Sequence, residues 1–369
     1  MIDIKLYDRN LTTPVFKENL TERVQNLSFS TKLHGGFHTC SFNLRADLPD
    51  AWGWLTGKAF YRLLVSDVEK VLFEGRIEDL TLSAGGAGVT AYGYYANLSD
   101  VPYATAYNAV ASVVIKAVLT ASCAQIASDQ TNIAATDITI TSAADANYLD
   151  IYPNNLIEKL LAFSDSTYGK WDFAIWEDRI PYLTKRSVSS SDWLVKLGDL
   201  SRFKLKHKSG ELWNSVYAIY DDSGLTRTAD ATDAASIALY GLTREKVIPH
   251  LGTVVAATAQ AQRSAWLADH KDIWPKLEDI VLGAYVYDKY GVKFPSYWVR
   301  AGEVIRIQDL VPTSADAGTV ALDQLRTFFI VETHYNADTG QNRLVLDTES
   351  ASIEAILARE LSPVKRYFV

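Results

Sequence analysis

Cysteine is almost missing from this chain of 369 residues: only Cys40 and Cys123 occur. Two thiols are too few for a disulfide framework. One long-range bridge between them stays open by count. Two reduced, buried thiols of a protein folded in a reducing cytoplasm fit better, and Cys40 sits in a Phe-x-x-Cys-x-Phe strand pattern as a small core residue. Glycine and proline are also sparse, at 20 and 10 residues, which excludes collagen-like and low-complexity chains. Apolar runs are a handful of residues long, far short of the roughly 20 that cross a bilayer as a helix. The N-terminus alternates through Ile2, Ile4 and Leu6, with no basic start followed by an apolar block, so no secretory signal is expected. Basic residues lack an excess: 36 Lys and Arg stand against 44 Asp and Glu, a formal charge of −8. That argues against a dedicated nucleic-acid binder. What is there is ordinary globular usage, 48% hydrophobic and 22% charged, in a chain long enough for two or three domains of about 150 residues each.

Residues 1–103 read as antiparallel β. Ile2, Ile4 and Leu6 alternate, as do Leu27, Phe29, Thr31 and Leu33. After the turn His34-Gly35-Gly36 a second run puts His38, Cys40, Phe42 and Leu44 on one face. Phe60 to Val65 and Val71 to Phe73 form the next pair, and Ile77 to Leu82 turns through Ala84-Gly85-Gly86-Ala87-Gly88 into Val89 to Tyr95. Six or seven strands in about a hundred residues suffice for a small barrel or sandwich.

After Pro102 the period changes. Ala109, Val110, Val113, Val114, Ala117, Val118 and Ala121 recur at three and four, which predicts a helix. Ile138-Thr139-Ile140 predicts a short strand. Asn155 with Glu158 three residues on predicts an N-cap, and Leu156, Ile157, Leu160 and Leu161 the apolar face of that helix. Trp171 to Trp176 reads as a half-buried strand with one exposed aromatic, turning at Asp178-Arg179 into Pro181-Tyr182-Leu183. Residues 104–198 are therefore expected to be a peripheral α+β domain. A second barrel is expected over 199–245 and 296–350, with strands at Trp213 to Tyr220, Leu225 to Thr228, Trp298 to Ile307, Thr327 to Tyr335 and Asn342 to Asp347. Val247, Leu251, Val254, Thr258, Ala261 and Ala265 predict a long helix between Arg244 and Lys271, inside a mostly helical insertion spanning 246–295. Ile353, Ile356, Leu357 and Leu361 predict a short C-terminal helix within 351–369, stopped by Pro363. Residues 74–80 and 302–310 are loosely alike, a faint sign of two related β units.

Chemistry-bearing motifs are scarce. No phosphate-loop motif or dinucleotide fingerprint occurs, and Gly85-Gly86-Ala87-Gly88 reads as a hairpin turn. His34 and His38 are four apart, but Gly35-Gly36 between them speak against a helical zinc pair. His207, His250, His270 and His334 are scattered without ligand spacing. No Gly-x-Ser-x-Gly elbow is present. Glu74 with Glu78, and Asp221 with Asp222, read as solvated acids rather than a hydrolytic pair. The 9 Trp, 20 Tyr and 13 Phe read as core and cross-strand residues before they read as a sugar-binding face. No catalytic, cofactor-binding or metal-ligating residue is assigned.

Several segments, in order along the chain, resemble the tail hub proteins of long-tailed bacteriophages: the baseplate hub, and the N-terminal hub part of siphovirus tail-associated proteins. They are Phe73-Glu74-Gly75-Arg76-Ile77, Ala91-Tyr92-Gly93-Tyr94-Tyr95-Ala96-Asn97-Leu98-Ser99-Asp100-Val101-Pro102-Tyr103 and Trp171-Asp172-Phe173-Ala174-Ile175-Trp176-Glu177-Asp178-Arg179. Ser236-Ile237-Ala238-Leu239-Tyr240-Gly241, Arg300-Ala301-Gly302-Glu303-Val304-Ile305-Arg306-Ile307 and Arg326-Thr327-Phe328-Phe329-Ile330-Val331 follow. The resemblance implies a β-rich α+β fold with two tube-type antiparallel β-barrels, a peripheral α+β domain and an insertion in the second barrel. It implies a homotrimer whose six barrels form a ring joining the sixfold tail tube to threefold tip components around the DNA-ejection channel. Expected partners are the distal tail or tail-tube ring, the tape measure protein and a tail fibre or tip spike, with DNA passing through unbound. The expected location is the virion tail tip, after assembly in the host cytoplasm, with no membrane anchor, no cofactor and no enzymatic activity. The chain ends at Val369, so a C-terminal fibre or peptidoglycan-cleaving domain is not expected. A carbohydrate-binding tail adhesin, and behind it a cell-wall hydrolase, are the alternatives.

Overall fold

A computed structural model of the chain describes residues 2–10, 13–83, 86–103, 109–136, 151–162, 170–186, 191–207, 209–249, 251, 255–273, 275–309 and 327–347. The expected strand Ile138–Ile140, the tip of the turn at Ala84-Gly85 and the C-terminal helix of 351–369 lie outside them. The described residues are β-rich, with 21 strands and five α-helices.

A first set of strands comprises Asp3–Tyr7, Phe16–Asn19, Val24–Lys32, Gly35–Arg45, Arg62–Ser66, Val71–Ser83 and Gly86–Gly93. Alternation places Ile4, Leu6, Leu63 and Val65 on one buried face, where they meet Phe37, Phe42, Leu44, Phe73 and Ile77. Leu27, Phe29, Thr31 and Leu33 point inward as the sequence predicts. His38 does not share a face with Cys40, Phe42 and Leu44: it is exposed, and Phe37 takes the inward place. The ladder between Val24–Lys32 and Gly35–Arg45 slips between Phe29 and Thr31, which oppose Cys40 and Phe37, and this bulge reverses the alternation. A helix, Leu48–Gly57, interrupts the stretch expected to be all β. The Asp47 carboxylate caps it by accepting the Asp50 N–H at 2.9 Å, and Ala51 and Trp54 enter the core.

A second set comprises Trp193–Lys196, Leu200–His207, Pro275–Leu282, Tyr285–Asp288, Lys293–Pro295, Val304–Gln308, Thr327–Asn336 and Gln341–Leu346. Its core is Val195, Ile280, Leu282, Val286, Ile305, Ile307, Ile330 and Leu344. Five strands repeat the order of the first set. Val24–Lys32, Gly35–Arg45, Gly86–Gly93, Val71–Ser83 and Arg62–Ser66 are antiparallel neighbours in that order. So are Leu200–His207, Pro275–Leu282, Gln341–Leu346, Thr327–Asn336 and Val304–Gln308. Both sets slip register at the same place, between Ile77 and Asp79 and between Ile330 and Glu332. The approaches match as well. Phe60 N–H donates to the Ile77 carbonyl and Ile77 N–H to Tyr61, as Gly302 N–H does to Ile330 and Ile330 N–H to Glu303. Phe60 and Gly302 both take positive φ, 65° and 93°. The counterparts are thus 60–66 with 302–308 and 71–83 with 327–336. The loose likeness of 74–80 to 302–310 pairs segments that are not equivalent. The two sets differ in the first strand, which runs antiparallel to its neighbour in one (Asp3–Tyr7) and parallel in the other (Trp193–Lys196).

One strand belongs to both. Thr327–Asn336 pairs with Val304–Gln308 through residues 327–329 and with Val24–Lys32 through residues 332–336. The Thr31 and Thr333 hydroxyls meet at 2.7 Å in this seam.

The side units depart from the expected boundaries. Trp193–Lys196, expected in the peripheral domain, pairs with Val304–Gln308 and Tyr285–Asp288 of the second set. Ser215–Asp221 and Leu225–Arg227, expected in the second barrel, form a separate four-stranded sheet with Ala231–Thr232 and Glu245–Ile248. The insertion therefore runs between His207 and Pro275, and 275–295 returns to the main sheet. It is α+β, with its own core of Val216, Ala218, Ile248, Trp266 and Leu267. Its long helix is Ala256–His270 and does not begin at Arg244, because Glu245–Ile248 is a strand parallel to Ser215–Asp221. A helix at Ala234–Tyr240, capped by the Asp233 carboxylate on Ser236 N–H, was not foreseen. In the peripheral unit, Ala111–Ser122 buries Ala111, Val114, Ile115, Val118 and Leu119 and exposes Val113, so its inward face is rotated from the expected one. Leu156, Ile157, Leu160 and Leu161 are buried on helix Pro153–Ala162 as predicted. Asn155 lies inside that helix and is not its cap.

Candidate functional site

The strands meet at a junction built around the hairpin Trp171–Ile175 and Pro181–Lys185. Every residue of Trp171–Ile175 is buried, and Trp176 beyond it is 8% exposed, contrary to the expected half-exposed strand. Two cores claim the two faces. Trp171, Phe173 and Ile175 enter the peripheral core, whereas Ala174 and Trp176 enter that of the first strand set. Trp176 stands edge-on to Phe37 at 5.1 Å. Docking needs a bare backbone at Gly36, which pairs with Ile175. A Cβ there would fall 2.2 Å from the Ile175 carbonyl oxygen, and φ is +95°. His34 Nδ1 accepts the Phe173 N–H at 3.2 Å. His38 lies beyond the bulge with Nδ1 3.3 Å from Ser30 Oγ. The two histidines are not brought together as ligands.

Beside the hairpin lies a cavity of about 260 Å³, lined by Asp172, Tyr182, Arg186, Arg300, Glu303 and Phe329 among others. Arg186 grips Asp172 through Nε at 2.8 Å and a terminal nitrogen at 2.5 Å, and reaches Asp347 with the other. Its guanidinium lies 4.3 Å over Phe329. Arg300 donates to Glu177 at 2.7 Å and lies 4.7 Å over Trp176, while its backbone N–H donates to Glu303 at 2.9 Å. Glu303 also accepts from Trp193 Nε1 at 2.6 Å and Lys70 at 3.2 Å. Burial pushes Lys70 below its usual range against the pull of Glu303. Asp67 accepts from Tyr297 Oη at 2.8 Å and Trp298 Nε1 at 3.1 Å. Burial raises its carboxyl, but these donors and the Val68 N–H outweigh burial and hold it below the ordinary carboxylate range. The arrangement fastens three units together. Its carboxylates are engaged by cations and by N–H and O–H donors, and the guanidinium groups of Arg186 and Arg300 lie over aromatic rings.

The acid pairs named from the sequence do not converge either. Glu74 is 1% exposed, not solvated. Burial raises its carboxyl, and Arg62 at 3.2 Å and the Asp178 N–H at 2.9 Å oppose the rise. Glu78 has a separate partner in Arg76 at 2.8 Å. Asp221 closes an exposed turn through Gly224 N–H. Cys40 and Cys123 are free thiols in different cores. Burial pushes both up, Cys123 to about 12, which leaves them unreactive. Among the described residues no group of three His, Cys, Asp or Glu is arranged to hold a metal ion. Arg62, Arg186 and Arg300 were missed from the sequence. The available signal is a charged residue in or beside a strongly apolar, aromatic strand.

No protein-family model matches the sequence, and no curated protein matches it. Solved structures do. The tail protein from Neisseria meningitidis MC58 aligns with a TM-score of 0.59 at 14% identity, over 94% of this chain and 96% of that one. The chain has the fold of phage tail proteins. The 43 kDa tail protein of prophage MuSo2 from Shewanella oneidensis matches at 0.59 and 12% identity, over 93% and 98% of the two chains. Prophage tail protein gp18 from Listeria monocytogenes EGD-e matches at 0.58 and 13%, over 98% and 99%. The tail-protein fold here spans both strand sets and both side units, and the junction is the place where it is pinned.

Proposed function

We propose that this chain is the structural hub of a phage tail tip or baseplate. Three copies form a ring, and each contributes two tube-type barrels. The ring joins a sixfold tail tube to threefold tip components and surrounds the DNA-ejection channel. The observation that carries this reading is the five-strand order that occurs twice in one chain with the same bulge. A chain with two equivalent units presents six of them when three copies close, which matches a sixfold neighbour on one side and a threefold one on the other. The end-to-end likeness to solved tail proteins supports it.

In this reading the first barrel is 1–103, the peripheral domain follows to about 192, and the second barrel takes up the strands from Trp193 to Leu346 outside the insertion. Partners are the tail-tube or distal-tail ring, the tape measure protein and a fibre or spike. The protein resides in the virion tail and acts as a structural part rather than a catalyst, a reading supported by junction carboxylates that are engaged by Arg186, Arg300, Lys70 and the donors of Trp193, Tyr297 and Trp298. Three copies carry three times the formal charge of −8, and a neutral to acidic channel wall lets DNA slide, because each Lys or Arg on a phosphate adds affinity. The test is electron microscopy of the particle labelled on this chain. The expected label sits at the tail tip or baseplate with threefold symmetry. Label on the capsid or along a fibre refutes the assignment.

A further inference from the structure

We infer that the strand Leu200–His207 of one copy adds, antiparallel, to the outer part of the strand Val71–Ser83 of a second copy, and that this pairing is the contact that links successive chains. The inference rests on the hub reading and names the surface that closes its ring.

The internal repeat points to it. Within one chain the edge strand of the first set, Val24–Lys32, does not stay an edge. Its residues 28–32 pair with residues 332–336 of Thr327–Asn336. That half of Thr327–Asn336 is open to it because Val304–Gln308 covers only residues 327–329. The counterpart of Val24–Lys32 in the second set is Leu200–His207, and the counterpart of Thr327–Asn336 is Val71–Ser83. Among the described residues Leu200–His207 pairs on one side alone, with Pro275–Leu282. Arg62–Ser66 covers Val71–Ser83 only as far as Arg76, so among the described residues those beyond the bulge have Gly86–Gly93 on one side and no strand on the other. The chain therefore holds one copy of the strand-to-strand joint made, and both halves of a second joint unmade, at opposite ends. A single chain uses each half-joint once, so copies join head to tail, the heterologous contact that closes into rings.

Composition fits the two halves to each other. Leu200–His207 carries Arg202, Lys204 and Lys206 and no acid, whereas Ile77 to Ser83 carries Glu78 and Asp79 and no base. Each half also exposes a large apolar side chain, Phe203 at 42% and Leu82 at 39%. Open edges with exposed apolar residues are hazards unless a partner strand covers them, and main-chain hydrogen bonds along a shared edge supply the affinity of strand addition.

The test uses the full-length chain with two substitutions, Lys204→Cys and Leu82→Cys, treated with a short bismaleimide. The native Cys40 and Cys123 are buried and do not compete. The expected result is a ladder of cross-linked multimers from the double variant that neither single variant produces. In parallel, Asp79→Lys is expected to weaken self-association roughly tenfold at low salt, read by light scattering, since like charges face across the joint. A double variant that cross-links no more than the singles overturns the inference. If multimers instead cross-link through Lys17→Cys on the strand Phe16–Asn19, and Asp79→Lys leaves association unchanged, this joint is wrong while the ring stands. Label outside the tail in the particle overturns the hub reading, whatever the cross-links show.

Discussion

Replacing Arg186 by Met strips the junction of its central cation and keeps most of the side chain's volume. Asp172, on the opposite end of two hydrogen bonds at 2.8 and 2.5 Å, is 4% exposed and stays behind buried without the guanidinium that matched it. Removing one partner of such a pair costs about 3–5 kcal/mol, because the remaining charge is buried uncompensated. The contact with the Phe329 ring at 4.3 Å is lost as well, worth about 0.5–2 kcal/mol. A total of about 5 kcal/mol is expected. Unfolding entropy of about 2.1 cal/mol/K per residue gives roughly 0.8 kcal/mol/K for 369 residues, so the melting temperature should fall by about 6 °C. Adding Asp172→Asn removes the stranded charge, and the double variant should regain about half of the loss. Urea titration followed by tryptophan fluorescence measures both, with Trp171 and Trp176 next to the site. A loss under about 1 kcal/mol for Arg186→Met, or a double variant less stable than the single one, refutes the account of a buried, charge-matched fastening.

Three further outcomes are expected. Gly93→Ala should cost about 3 kcal/mol or more, since its Cβ would fall 1.8 Å from the Phe37 carbonyl oxygen and neither backbone can yield; an unchanged melt sinks the close approach. Thr31→Val should cost about 1–3 kcal/mol, because the Ala301 N–H loses its acceptor at 2.8 Å and Thr333 its partner; hydrogen exchange at Ala301 should speed up, and an unprotected Ala301 amide in the native chain would contradict the bond. Glu74 holds its proton more tightly folded than unfolded, so it contributes stability below its ordinary value of 4.5 that is lost as pH rises through the folded-state value. Native protein should therefore gain stability over Glu74→Gln on acidification from neutral pH, and parallel stability profiles of the two proteins would contradict the burial of that carboxyl.

Much of the β framework was legible because alternation is a local signal. Leu27, Phe29, Thr31 and Leu33 name their own inward face, and Leu156, Ile157, Leu160 and Leu161 name a helix stripe. Partners are not local. Ser215–Asp221 alternates as cleanly as any strand of the main sheet, so nothing in it tells that it belongs to the insertion. His38 was assigned to the wrong face because a bulge shifts the period by one residue and leaves no mark in composition. The helix Leu48–Gly57 was hidden by two glycines and a proline, although Asp47 before Leu48-Pro49-Asp50 is a readable cap. The repeat was invisible for a further reason: Phe60 and Gly302 hold the same backbone place with unlike side chains, so topology persists where residue identity does not. The junction could not be read at all, since Arg186 finds its carboxylates 14 and 161 positions away.

The shared strand sets a timetable for synthesis. Thr31 meets Thr333 across 302 positions of sequence. At about 5–20 residues per second, a ribosome takes roughly 15–60 s to make the strand that covers Val24–Lys32 after that strand has emerged. For most of that interval the first strand set, which ends at Gly93, has been made but has one flank uncovered, and the flank is an unfilled edge in a crowded compartment. Nascent chains on neighbouring ribosomes present the same flank at the same stage. A chain that pairs with its neighbour's edge before its own carboxyl-terminal half arrives is committed to a swapped assembly. The long-range seam makes the order of emergence, rather than the strength of any contact, the point at which correct and incorrect partners are separated.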